Sequence, residues 1–518
     1  MFKFFKSPGR VQSGISAAEK PPEKVDPATD NATSPGDIRA PIDTWDVFDT
    51  LIARYCTAPA AVHEIVAQRT GVADFPVLRK QAQDALDSIG KPYVIFEIYR
   101  RMRDHGLDAV LAERLLAEEL AVESEQVIPI RRCLERVGKH DILVSDMYLT
   151  GEMIADLLAQ ASDMGLCRPV TVGNWGKASG AIWGRLLRFY RINMHHGDNT
   201  HSDHAMPGTH QIPTELVQDH LPTAWEQRLI DAGESQLALL SRECRLRSTP
   251  SNPHPIHGVV CGPLLAVMAV YAAQLRSRYR EATAIVFCSR DCDQLGSVFR
   301  AMFPAVPTLA LDLNRLLTAF GTHDAYFNER LPDGTVIVDL VGSGRSILSY
   351  MRRNPGKKLA FHSLVYVDDV LDAEEKAERA GDISAERFRY DFTLSTFTGP
   401  VSRFEVLLQA GYDKVVDVIV EPDSGAVVRH HERESWSAPE TEFLEFKSFA
   451  MQNLVRSIKQ RPIDSIIASE RGKEILELAL REILGDEEIL NYPSTYHDRD
   501  RIYFRDLVAM GNQLALGS

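Results

Sequence analysis

Four short stretches of this chain carry residue types suited to phosphoryl chemistry, and they follow one another in order. The first, Asp46-Val47-Phe48-Asp49-Thr50-Leu51, comes directly after Pro41-Ile42-Asp43-Thr44-Trp45, which reads as a β-strand. A carboxylate at the carboxyl end of a strand in an open α/β sheet sits where ligands bind. Asp46 is therefore a candidate nucleophile that takes a phosphoryl group as an aspartyl phosphate, later hydrolysed by water. The second, Ile142-Leu143-Val144-Ser145-Asp146, is again a strand followed by a hydroxyl, suited to holding a phosphoryl oxygen. The third is Lys177, just past a strand and a Gly-Asn-Trp-Gly turn, a fixed cation for the nucleophile and the transferring group. The fourth, His196-Gly197-Asp198 followed by Asp203, offers two carboxylates five residues apart beyond a strand end, oxygen ligands of the kind a hard cation needs.

Taken singly, each stretch has an ordinary explanation. An Asp after a strand is more often a helix cap, a loop Ser or Lys is usually solvated surface, and Gly-Asp-Asn is a common turn. The signal is the ordered set, each member at the expected carboxyl end of its own strand. Those strands (residues 41–48, 141–145, 169–172 and 192–194) alternate with helical periodicity, which predicts a parallel sheet flanked by helices. Between the first and second strands, residues 58–137 show period-3.6 patterns such as Leu111/Leu115/Leu116 with breaks at Gly71, Gly90 and Gly106, a block of about four helices.

The order Asp46-x-Phe48-x-Thr50, Ser145, Lys177, Gly197-Asp198 and Asp203 resembles the four motifs of the haloacid dehalogenase superfamily, over residues 39–245. The helical insert resembles that family's cap placed after the first strand. The fuller phrases Trp45-Asp46-Val47-Phe48-Asp49-Thr50-Leu51, Ser145-Asp146-Met147-Tyr148 and Gly197-Asp198-Asn199 with Ser202-Asp203 are similar to a bacterial subgroup of predicted hydrolases linked to surface polysaccharide synthesis. The resemblance implies that Asp46 is nucleophile and Mg²⁺ ligand, with the Phe48 carbonyl and Asp198 completing the protein's ligands and Asp203 in support. Ser145 and Lys177 would hold phosphoryl oxygens of a small phosphorylated metabolite. Thr50, within the first motif, and Arg54, just after it and leading into the cap, are candidates for substrate contact. One departure is chemical. Phosphatases of the family carry a second Asp two residues after the nucleophile as general acid, and here that position is Phe48. If the backbone is still extended at Asp49, alternation turns its side chain away from Asp46. Three readings stay open: a leaving group that needs little help, halide as leaving group, or a site that binds phosphate without turnover.

The second half, residues 257–400 after a linker at 246–256, alternates strands and helices once more, with strands expected at 283–288, 307–312, 335–339 and 360–367. Asp339-Leu340-Val341-Gly342-Ser343-Gly344-Arg345-Ser346 is strand, small-residue loop, helix. It resembles the phosphate-binding loop of type I phosphoribosyltransferases, with Leu340 where a second acid is usual. Gly342, Ser343, Gly344 and Ser346 are the expected contacts to a phosphate, and Ser289-Arg290-Asp291 the opposite wall. Such a turn is also a common packing solution. Residues 401–518 are expected to be mainly helical, with a hairpin near 413–429 and faces such as Phe443/Phe446/Phe449 for packing or homo-oligomer contact. The fold class expected is α/β: a Rossmann-like parallel sheet with an inserted helical cap, a second α/β domain, and a mainly helical C-terminal region.

Bulk composition bounds the partners. Residues 1–38 are poor in large apolar side chains and are expected to be a disordered tail. Lys plus Arg number 58 against 72 Asp plus Glu, a net charge of −14 that argues against nucleic acid as a partner. The 7 cysteines show no zinc-ligand spacing, as expected for reduced thiols in the cytoplasm. No apolar run of about 18–20 residues is expected, and hence no membrane span.

Overall fold

A computed structural model describes residues 41–161, 170–172, 176–289, 291–309, 311–314, 317–318, 321–342, 344–365, 387–394, 404, 407–408, 411–421, 424–433, 435–461 and 470–485. The tail at 1–38, Arg290, Ser343 and the chain beyond 485 lie outside the described residues.

The first sheet has five parallel strands: β1 (Ile42–Trp45), β4 (Ile142–Ser145), β5 (Val170–Val172), β6 (Ile192–Gly197) and β7 (Thr214–Leu216). Their spatial order is β5-β4-β1-β6-β7. The strand that carries Asp46 is thus central, and Thr44 and Trp45 are buried in it, as a strand covered on both faces requires. Asp141 locks its register by accepting from the Asp43 N–H and from Trp45 Nε1, both at 3.0 Å.

The insert forms four helices, α1 (Pro59–Thr70), α2 (Phe75–Asp87), α3 (Ile95–Asp104) and α4 (Ala109–Gln126). The expected breaks fall where the chain needs a left-handed turn, with φ of 76° at Gly71, 66° at Gly90 and 101° at Gly106. Two short antiparallel strands, β2 (Ile52–Arg54) and β3 (Val127–Pro129), pair the insert's two ends. Helix α4 also turns Glu119 and Glu123, one helical turn apart, into the protein. Glu119 grips the fully buried Arg79 at 3.0 Å and accepts from the Tyr99 hydroxyl at 2.7 Å, while Arg79 lies 4.6 Å from the centroid of the Tyr148 ring. The Arg79–Glu119 pair therefore joins α2 to α4 within the insert, and the Arg79 contact with Tyr148 ties the insert to the loop after β4.

The second sheet is parallel as well: β8 (Ala284–Phe287), β9 (Thr308–Leu309), β10 (Thr335–Val341), β11 (Leu359–Val365) and β12 (Phe388–Leu394), ordered β12-β11-β10-β8-β9. The hairpin is present as β13 (Lys414–Val420) with β14 (Val427–Glu432), and helices follow at Ala438–Gln460 and Glu470–Gly485.

Two expectations need correction. The supposed linker begins inside a helix, Ser235–Ser248, whose Leu246 and Ser248 are buried. Asn453 donates to Ser248 Oγ at 3.0 Å and Cys244 Sγ to the Ala450 carbonyl at 3.3 Å, so this helix is held against Ala438–Gln460. An apolar run of membrane length also exists, since Ile256–Arg278 is long and apolar enough to cross a bilayer. Gly258, Gly262 and Pro263 interrupt it in sequence but not in helical course. Its most apolar window is 94% buried inside the protein, where it forms the centre of the second core.

Candidate functional site

The carboxyl ends of four adjacent strands, β5, β4, β1 and β6, deliver Lys177, Ser145, Asp46 and Asp198 in that order. The carboxylates of Asp46, Asp198 and Asp203 lie with ligand oxygens within 4.8 Å of one another. Lys177 Nζ sits 2.5 Å from Asp46 Oδ1 and 2.6 Å from Asp203 Oδ1, and it is only 3% exposed. Ser145 is buried at the end of β4.

Local chain geometry explains this convergence. After Asp46 the strand stops. Leu51 and Ile52 both donate to the Val47 carbonyl, at 2.8 and 3.0 Å, and Asp49 takes a φ of 58°. The backbone at Asp49 is therefore not extended, and strand alternation does not set its direction. On the other side, Asn199 Oδ1 accepts from the His201 and Ser202 N–H groups at 2.9 and 3.0 Å, starting a π-helical turn, Thr200–Ala205, that carries Asp203 back over Gly197. A Cβ at residue 197 would stand 2.4 Å from the Asp203 Cβ, so only glycine admits that approach. Gly197→Ala is expected to push Asp203 off Lys177 and weaken cation binding about 10–100-fold, measurable by calorimetric Mg²⁺ titration; affinity equal to wild type would contradict it.

Two buried carboxylates on the one Lys177 ammonium group, with the half-buried Asp198 beside them, leave an excess of negative charge. Burial holds the Asp46 carboxyl well above its usual range, Lys177 opposes that, and Asp203 and Asp198 reinforce it. Asp198 is raised by burial and by the charges of Asp49 and Asp203. Asp203 goes the other way, to about 2, because hydrogen bonding from His195 and the Lys177 charge outweigh its burial. Lys177 is kept protonated because Asp46 and Asp203 outweigh its desolvation. A hard divalent cation fits this donor set, since it would offset the surplus charge through oxygen ligands. Thr50 supplies a further observation: it is fully buried within four residues of Asp46, and its hydroxyl has no hydrogen-bond partner.

Other expected site residues fare differently. Phe48, at the position of the usual acid, lies under Arg54, whose Cζ is 4.3 Å from the ring centroid. Arg54 itself, expected to reach substrate, is buried with Nε and Nη2 bound to Glu123 at 2.9 and 3.0 Å. It anchors the cap. Gly342, Gly344 and Ser346 do share the turn after β10, but packing accounts for the glycines. A Cβ at 342 would meet Asp339 Oδ2 at 2.5 Å, and one at 344 would meet Phe361 and Tyr390 at 2.9 Å. The Gly342 N–H is directed to the Val365 carbonyl at 3.4 Å, which removes one donor from any anion.

Sequence reasoning missed three residues. In sequence Asp146 is no more than the neighbour of Ser145, yet its carboxylate accepts from the Lys177 N–H at 3.1 Å and the Ala178 N–H at 3.2 Å, fixing the lysine turn. His220, past β7, adds a charge interaction with Asp198, and its Nδ1 is buried without a partner. His195 is fully buried within β6 and bonded to Asp203. Adjacent histidines inside a strand of a parallel sheet, His195 and His196, were the available signal, because buried polar groups need partners.

The fold and site define an α/β protein of two parallel sheets whose first sheet gathers a buried acidic triad able to hold a metal ion. Comparison with protein-family models and with curated proteins returns no match.

Proposed function

We propose that the first sheet carries a Mg²⁺-dependent phosphohydrolase of the haloacid dehalogenase type, acting on a small phosphorylated metabolite. The observation that supports it most is the convergence of Asp46, Lys177 and the Asp198/Asp203 pair from beyond three strand ends. Asp46 attacks phosphorus, the bond to the leaving oxygen breaks, and the aspartyl phosphate so formed is cleaved by water. Lys177 and Ser145 hold the phosphoryl oxygens, and Asp46, Asp198 and Asp203 are the side chains that would hold the cation. Bound Mg²⁺ would neutralise developing charge on the transferring group. Leaving-group protonation falls to water or to Asp49, which the left-handed turn brings within electrostatic reach of Asp198.

Phosphate release from a panel of phosphorylated metabolites, with Asp46→Asn in parallel, tests the proposal. Turnover by wild type that the substitution leaves unchanged would end it. Should Asp49 donate the proton, Asp49→Asn lowers kcat by about 10²–10⁴-fold with KM little changed; an unaltered kcat assigns the proton to water.

A second reading, a phosphate-binding domain without turnover, is favoured by one observation. The usual acid's position is filled by Phe48 packed under Arg54, an apolar and cationic pair. On that reading, wild type and Phe48→Asp both lack activity while Mg²⁺ and phosphate still bind.

A further inference from the structure

The Asp203 carboxylate has all its inner bonds from fixed donors. Oδ1 accepts from Lys177 Nζ at 2.6 Å and faces His195 Nε2 at 3.1 Å, while Oδ2 accepts from the Asn199 N–H at 3.1 Å. A carboxylate in that position only accepts, so His195 must carry its hydrogen on Nε2. Its Nδ1 is then a bare lone pair, 3.0 Å from Thr44 Oγ1, and the Thr44 hydroxyl donates to it. The alternative acceptor for that hydroxyl, the Met194 carbonyl, is farther away at 3.5 Å. Trp183 closes the remaining side, its ring centroid 4.6 Å from that of His195 at 61°. Thr44 and His195 are both fully buried, and they belong to neighbouring strands in direct register.

We infer that His195 is a positioning residue that aims Asp203 at Lys177 and the cation site, and that Thr44 selects the ring tautomer which does so. The inference rests on the cation-binding reading of the site. Without the imidazole, Oδ1 would be held by Lys177 alone and only the Asn199 N–H on Oδ2 would oppose a pivot of the carboxylate toward Asp46. The imidazole holds Oδ1 from the β6 side, so that the carboxylate is shared and cannot turn.

The test uses the full-length protein and Mg²⁺ alone as probe, followed by calorimetry, with folding checked by thermal denaturation. His195→Leu should weaken Mg²⁺ binding about 10–100-fold, whereas His195→Gln, whose amide can donate to Asp203 and accept from Thr44, should stay within about threefold of wild type. Thr44→Val should fall between them, and Thr44→Val/His195→Leu should be no worse than His195→Leu, because one chain of bonds has been cut twice. Leucine binding as well as wild type, or glutamine no better than leucine, overturns the inference. If His195→Leu does not fold, the Gln and Val variants decide: wild-type affinity in Thr44→Val, or a loss in His195→Gln equal to or larger than that in Thr44→Val, overturns it. If wild type itself binds no Mg²⁺, the cation-binding reading has failed, and crystal structures of wild type and His195→Leu without cation still decide the positioning role. Asp203 turned away from Lys177 in the leucine variant supports it, and Asp203 unmoved overturns it.

Discussion

Lys177→Met is expected to destabilise the cation-free protein by about 3–5 kcal/mol, the usual cost of removing one partner from a buried ion pair. The lysine is 3% exposed and is shared between Asp46 and Asp203, so its loss strands two carboxylates that cannot reach water. Denaturant titration in chelator should show the loss at unchanged slope, and millimolar Mg²⁺ should restore part of it by replacing one positive charge with another. Activity should fall even where Mg²⁺ restores the fold, because the lysine's place beside the phosphoryl oxygens is not refilled. Stability equal to wild type in chelator would mean that the carboxylates are not held in the charged state described.

Asp46→Asn should have opposite effects on activity and on stability. Turnover should drop by at least about 10³-fold, as removal of a nucleophile does. Without cation, however, the variant should be more stable than wild type. Burial raises the Asp46 carboxyl well above 3.8, with Asp203 and Asp198 adding to the effect. A carboxyl whose folded value lies above its unfolded one contributes stability at low pH and loses it as pH climbs through the folded value. In chelator the stability of wild type relative to Asp46→Asn should therefore rise on acidification, since the buried neutral His195 and His257, lowered to about 4, cost both proteins alike. At pH 8 the asparagine should be ahead by about 1–3 kcal/mol, the cost of an incompletely satisfied buried polar group. Saturating Mg²⁺ reverses the order, since a ligand at 100 times its Kd adds about 2.7 kcal/mol to the protein that binds it. Identical pH profiles for the two proteins would contradict the buried excess of negative charge.

Legibility in the sequence followed the range of the interactions involved. Asp46, Ser145, Lys177 and Asp198 could be read because each lies just beyond a strand-length segment, and a parallel sheet must bring neighbouring strand ends together. The cap's helix breaks were legible because Gly71, Gly90 and Gly106 occupy left-handed turns. What could not be read depends on partners far along the chain. Arg54 looked free for substrate because Glu123 lies 69 residues away, and Asp146 looked incidental because its acceptor role involves backbone N–H groups 31 and 32 residues away. Gly342 and Gly344 suggested an anion loop because spacing alone does not distinguish glycines that admit a phosphate from glycines that admit Asp339, Phe361 and Tyr390. The long apolar helix at Ile256–Arg278 escaped notice because two glycines and a proline resemble punctuation until the helix is seen to pass through them.

The most direct measurement is a crystal structure of the protein with Mg²⁺ and beryllium fluoride, a mimic of a phosphoryl group on an aspartate. The account predicts the fluoride group bonded to an Asp46 oxygen, Lys177 and Ser145 on its fluorines, and one Mg²⁺ coordinated by Asp46 and Asp198 at about 2.1 Å. Density for neither ligand at Asp46, with the Lys177 pairing to Asp46 and Asp203 unchanged at saturating concentrations, would contradict it.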